Sequence, residues 1–162
     1  MSASRRLAVG ALLVLVLLAA AVWMRWGSAL VAQATSQVLR PDDDALVAIG
    51  QRVYTAHCAA CHGAQGEGQP NWRERGPDGL LPAPPHDASG HTWHHADAQL
   101  FAIVKHGMAR VIQQPDYRTT MPIYEGTLSD EEIAAVLSWI KAQWPADVRR
   151  HHDQVNAQAV RR

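Results

Sequence analysis

Cys58-Ala59-Ala60-Cys61-His62 is the stretch on which the reading of this chain turns. Its two thiols are the only cysteines in 162 residues, and an imidazole follows the second directly. Thiols this close cannot staple a fold, so they are present for chemistry or for a metal. A zinc site needs four ligands, and no second cysteine pair exists. A redox dithiol belongs beside a strand–helix–strand unit, and no strand-period segment occurs here. The remaining reading is the haem-attachment pattern Cys-x-x-Cys-His. Two thiols at that spacing reach the two vinyl groups on one edge of a porphyrin, and the adjacent imidazole reaches the iron from one face. Cys58 and Cys61 are therefore expected to carry one covalent haem c, with His62 as an iron ligand.

Upstream, Leu46, Ile49, Gly50, Val53 and Tyr54 recur at helical spacing and run straight into Cys58. Pro41 and the acidic run Asp42-Asp43-Asp44 open that helix, where carboxylates suit the positive end of the helix dipole. Downstream, residues 63–90 are crowded with glycine and proline, a density that no helix or central strand survives. A loop this long needs a function, and wrapping a cofactor is one. Asp97 to His106 predicts a short helix stopped by Gly107. A second loop runs from Met108 to Thr127 and contains Pro115 and Pro122. The last helix opens on a capping box, Ser129 with Glu132. Ile133, Val136, Leu137, Ile140 and Trp144 then line one face, and Pro145 closes it. Residues 146–162 form a polar tail expected to be frayed or disordered. Three short helices and two long loops in ~100 residues bury little apolar surface alone, so the organisation asks for a flat apolar cofactor.

Across about residues 45–145 the sequence resembles the small soluble, class I cytochrome c family. Gly50-x-x-x-Tyr54-x-x-x-Cys58 matches that family's first helix, in which the glycine lets the last helix cross closely. Trp139, in Val136-Leu137-Ser138-Trp139-Ile140, is similar to the aromatic residue of the family's last helix. The resemblance implies an all-α cytochrome c fold, three to four short helices wrapped around one covalent haem. It further implies a methionine as sixth iron ligand in the loop before the last helix, where Thr119-Thr120-Met121-Pro122 lies. Met121 is thus the expected partner of His62 on the iron, and Met108 is its rival. A thioether is soft and neutral and raises the reduction potential relative to a second histidine. The family also has a proline whose carbonyl accepts a hydrogen bond from the ligating imidazole. Pro82, Pro84 and Pro85 all lie in the right stretch, and the sequence does not choose among them.

His91-Thr92-Trp93-His94-His95, with His86 nearby, could ligate copper or another transition metal. The plainer reading is a polar loop with Trp93 packing near the haem edge. His57 reads as helix surface, since His62 already completes the motif.

The N-terminus sets the expected compartment. Arg5 and Arg6 precede an uninterrupted apolar run from Leu7 to Met24, followed by Trp26. Such a run spans roughly 27 Å as a helix, close to the hydrocarbon thickness of a bilayer. The expectation is a single N-terminal transmembrane helix in a bacterial inner membrane, with the haem domain in the periplasm. The alternative is a soluble periplasmic form after signal cleavage near Ala34. The resulting division is 1–26 anchor or signal peptide, 27–40 linker, 41–145 cytochrome domain and 146–162 tail.

The stretch from Pro41 to Pro145 holds 13 acidic against 7 basic residues, a formal charge of −6. That excludes a phosphate-binding surface, which needs clustered Lys and Arg, and with it nucleic acid as a partner. No Ser-His-Asp arrangement, paired-carboxylate site or phosphate-cradling loop occurs. The functional expectation is an electron carrier rather than an enzyme, passing single electrons between redox protein partners in a respiratory chain, with no small-molecule substrate. Three alternatives stay open: an electron-transfer subunit of a larger oxidoreductase or oxidase, a copper-handling or sensing haem protein that uses His91 to His95, and an enzyme acting at an open haem, which requires that Met121 not ligate.

Overall fold

The computed structural model describes residues 15–24 and 38–161. The chain divides into two compact units, Met1–Thr35 and Ser36–Arg162. In the first, residues 15–24 are helical (α1). Among the described residues no helix is long and apolar enough to cross a membrane. The expectation of a single-pass inner-membrane protein with a periplasmic domain is therefore overturned. Arg5, Arg6, residues 7–14, Trp26 and the cleavage region at Ala34 lie outside the described residues.

The second unit is helical and loop-built, with one isolated bridge, Glu125–Leu128, among its described residues. Its order is α2 Asp44–His57, α3 Ala59–His62, a 3₁₀ turn Thr92–His94, α4 Asp97–His106, α5 Met108–Val111, α6 Asp130–Ala142 and α7 Ala146–Ala159. The three helices expected from apolar periodicity are present as α2, α4 and α6. Asp43 caps α2 by accepting from the Leu46 amide, with Asp44 in the first turn. The Ser129–Glu132 capping box forms at α6, each side chain taking the other residue's backbone N–H. Gly107 ends α4 at φ +82°, in the left-handed region where a side chain is disfavoured. Residues 63–90 hold turns and bends only. The loop after Gly107 differs from expectation in its first residues, which form the single turn α5.

The core is the crossing of α2 with α6, closed by α4. Leu46, Val53 and Tyr54 of α2 are buried, as are Ile133, Val136, Leu137 and Ile140 of α6 and Leu100, Phe101 and Ile103 of α4. Gly50 sets how near the two long helices come. A Cβ built there would lie 2.1 Å from the Ala135 carbonyl oxygen and 2.8 Å from Trp139 Cβ. Tyr54 and Trp139 then pack ring to ring at 4.4 Å beside the crossing.

Residues 146–159 are helical, where a frayed or disordered tail was expected. The reason is polar docking. His152 is fully buried and its Nε2–H donates 3.0 Å to the His95 carbonyl. Asn156 and Asp97 exchange two hydrogen bonds, 2.8 and 2.9 Å. Asp153 pairs with Lys141 of α6, and Arg149 pairs with Asp42 ahead of α2. Val148 adds one apolar contact to the core.

Candidate haem site

The attachment stretch sits at the break between two helices. The Cys58 amide closes the last turn of α2 on the Tyr54 carbonyl, and the His62 amide closes α3 on the Cys58 carbonyl, each at 2.9 Å. This continuity places Cys58 and Cys61 one turn apart, with His62 next along the same turn. Both cysteines are free thiols, Cys58 half-buried and Cys61 exposed. Burial, then the neighbouring Cys61, pushes the Cys58 thiol up to about 11, so it is protonated at neutral pH and is a poor resident thiolate ligand.

His62 is oriented by its backbone surroundings. Its Nδ1 lies 2.8 Å from the Pro84 carbonyl, which can only accept. Nδ1 therefore carries the ring proton, and Nε2 is left with a lone pair. Of the three prolines the sequence left open, Pro84 is the one that makes this contact. Burial lowers the His62 pKa, opposed by that hydrogen bond, so the neutral, ligating form is favoured.

Met121 lies in the loop before α6, half-buried, with its amide donating 3.1 Å to the Thr119 hydroxyl. It lines a cavity of about 850 Å³ together with Leu80, Met108, Tyr117 and Ile123. Both methionines weighed from sequence thus line one cavity, while Cys58, Cys61 and His62 do not. What joins the two regions is Tyr124. Three residues after Met121, its hydroxyl donates 2.7 Å to the His57 carbonyl, directly before Cys58. The Tyr124 pKa is raised by burial and by Cys58 and Cys61. The sequence reading missed this tie, because nothing in the spacing of a lone loop tyrosine points to a partner 67 residues away.

The histidines of residues 86–95 do not act as one group. His91 stacks on Trp72 at 5.3 Å and meets His95 edge-on at 5.4 Å. His94 stacks on Trp93 at 3.7 Å, and both rings meet His151 of α7. Among the described residues no three His, Cys, Asp or Glu side chains are arranged to hold a metal ion. His86 parts from the others and stacks on His62, ring centroids 4.0 Å apart and planes 21° from parallel. Burial, then His62 and His91, pushes its pKa well below the usual histidine value, so the ring is uncharged.

The donor set fits a covalently bound haem. It offers two free thiols one turn apart, an imidazole with its Nε2 lone pair free, and soft thioethers in a roomy cavity of largely apolar lining. The Trp93 indole N–H is buried without a hydrogen-bond partner, a polar atom still open to an acceptor.

A family model described as Cytochrome c matches residues 47–144, more than half of the chain. No curated protein and no solved structure matches it.

Proposed function

The chain belongs to the cytochrome c family, an electron-transfer haem protein with covalently bound haem c, and on that premise we propose that it is a single-electron carrier rather than an enzyme. Cys58 and Cys61 would hold the haem through two thioether links, His62 and Met121 would ligate its iron, and the donor and acceptor would be redox proteins of a respiratory chain. The observation that carries this reading is the His62–Pro84 contact beside two free thiols, since it leaves Nε2 as the one unshared ring donor.

Bound haem supplies a reversible one-electron ferric–ferrous couple. The protein's residues do the rest. Pro84 holds the His62 proton on Nδ1, which keeps the other nitrogen a lone-pair donor in both oxidation states. Tyr124 fastens the Met121 loop to the end of α2. With His62 and Met121 both holding its iron, bound haem would offer no open position to a substrate and would supply outer-sphere electron transfer. Met108 is the competing sixth ligand, because it lines the same cavity as Met121.

The test is the full chain produced with c-type haem-attachment machinery, compared as wild type and Met121→Ala. Haem that survives denaturation, with a thioether-to-iron charge-transfer band lost in the variant, is expected. A band that persists in Met121→Ala moves the ligand to Met108. Absence of covalent haem in the wild type would sink the reading.

A further inference from the structure

The stack of His86 on His62 is required neither by the attachment motif nor by the sixth-ligand assignment. We propose that His86 is a positioning residue that fixes the plane of the His62 imidazole, an inference that rests on His62 being the proximal ligand. The hydrogen bond from Nδ1–H to Pro84 pins one point of the His62 ring and leaves the ring free to rock about that line. A second ring lying 4.0 Å away and 21° from parallel removes that freedom by closing one face.

For this the brace must itself be rigid, and His86 is held from three sides. Its amide donates 2.7 Å to the Gly66 carbonyl, and its own carbonyl accepts the Trp144 indole N–H at 2.7 Å. Its Nδ1 lies 2.9 Å from the hydroxyl of Thr92, a residue only 6% exposed. The edge of the Tyr54 ring meets His86 at 6.4 Å. The brace therefore runs from the end of α6, through the His86 backbone and ring, to His62. An aliphatic side chain would fill the same volume but present no flat face and no second anchor. A ligand plane held this way keeps one orientation in the oxidised and reduced protein, which suits a carrier that must change little on each transfer.

The experiment uses the full haem-loaded chain as wild type, His86→Leu, His86→Phe and Thr92→Val. Three quantities are read: the low-temperature electron paramagnetic resonance of the ferric form, the midpoint potential and the melting temperature. His86→Leu is expected to broaden and shift the low-spin g values and to move the midpoint, because the His62 plane is then spread over several orientations. His86→Phe keeps a flat face but loses the hydrogen bond to Thr92, so it should give a broadened signal with a smaller shift than His86→Leu. Thr92→Val keeps the ring but frees its anchor, so it should broaden the signal with a smaller shift; it also serves if His86→Leu does not fold. Wild-type g values and midpoint in both His86→Leu and Thr92→Val, with only lower melting temperatures, would overturn the proposal and make His86 a space filler. Failure of the underlying site reading is seen separately, before any variant, as wild-type chain without covalent haem or without a low-spin signal, and the proposal falls with it.

Discussion

Helix α6 is gripped on two sides by opposite means. Against α2 it packs shape to shape: Gly50 admits the Ala135 backbone, Tyr54 lies on Trp139, and the buried side chains between them are almost all apolar. Against α7 the contact is polar. It consists of Lys141 with Asp153 and a buried His152, with Asn156 and Arg149 reaching on to Asp97 and Asp42. In the first interface burial pushes the Tyr54 phenol up, so it stays neutral, and there is no room at Gly50 for an added atom. The second tolerates changes of shape but depends on charge state and on each partner being present. The chain thus keeps the contact that aims the attachment stretch in its pH-insensitive half.

Gly50→Ala breaks the first half most directly. The new Cβ meets main chain, not the end of a flexible side chain, so α2 and α6 must separate along their length. Overpacking in a core costs about 1–3 kcal/mol, and a clash with backbone belongs at the top of that range or above it. Haem loading should fall with stability, because Cys58 ends α2 and His62 follows it on the short helix α3. Chemical denaturation with haem staining of the soluble fraction checks this. A melting temperature within a degree of wild type would show that the crossing is looser than its geometry implies.

Asp153→Ala tests the polar half. Lys141 is only 4% exposed, and its ammonium has its ion-pair partner on α7. Removing that carboxylate strands a buried charge, at a cost of about 1–3 kcal/mol. Asp153 is itself 62% exposed, so water can enter and the lower end is expected. Covalent haem should be retained, since nothing in this contact touches the attachment stretch. Loss of haem in Asp153→Ala would mean that the two grips on α6 are not separable.

How much of this was legible in the sequence follows the same divide. Periodic apolar residues gave α2, α4 and α6 at nearly their observed ends, because a helix that buries a stripe must repeat it. The capping box and Gly107 marked ends for reasons of local hydrogen bonding alone. Helix α7 was not legible, since His152, Asn156 and Asp153 carry no apolar stripe and their partners lie 12 to 59 residues away. The motif placed Cys58, Cys61 and His62, whereas the choice of Pro84 and the separation of His86 from its neighbours depend on how the 63–90 loop winds. The apolar N-terminal run was over-read as a span. Composition can show that a segment would suit a bilayer, but among the described residues no helix is long and apolar enough to cross one.

The smallest expected effect is also the most diagnostic of the polar half, and it comes from His152. Burial lowers its pKa first and the Lys141 ammonium second, while Asp97, the hydrogen bond to the His95 carbonyl and Asp153 pull it back. The balance is a folded-state value below that of the unfolded chain, which lies near ~6.5. Above that pH both states hold the ring neutral and the contribution to stability is complete. As pH falls below it, the unfolded chain takes up a proton that the docked helix resists, so stability declines until the folded-state pKa is passed. Nδ1 of His152 is buried with no acceptor facing it, so a proton added there has nothing to bond to. Melting temperatures of the haem-loaded wild type between pH 8 and pH 5 should therefore fall more steeply than those of His152→Gln, whose amide can still donate to the His95 carbonyl. Asp153→Ala, by removing one carboxylate that favours the protonated ring, should steepen the wild-type decline. Equal slopes in wild type and His152→Gln would assign the acid sensitivity to other histidines.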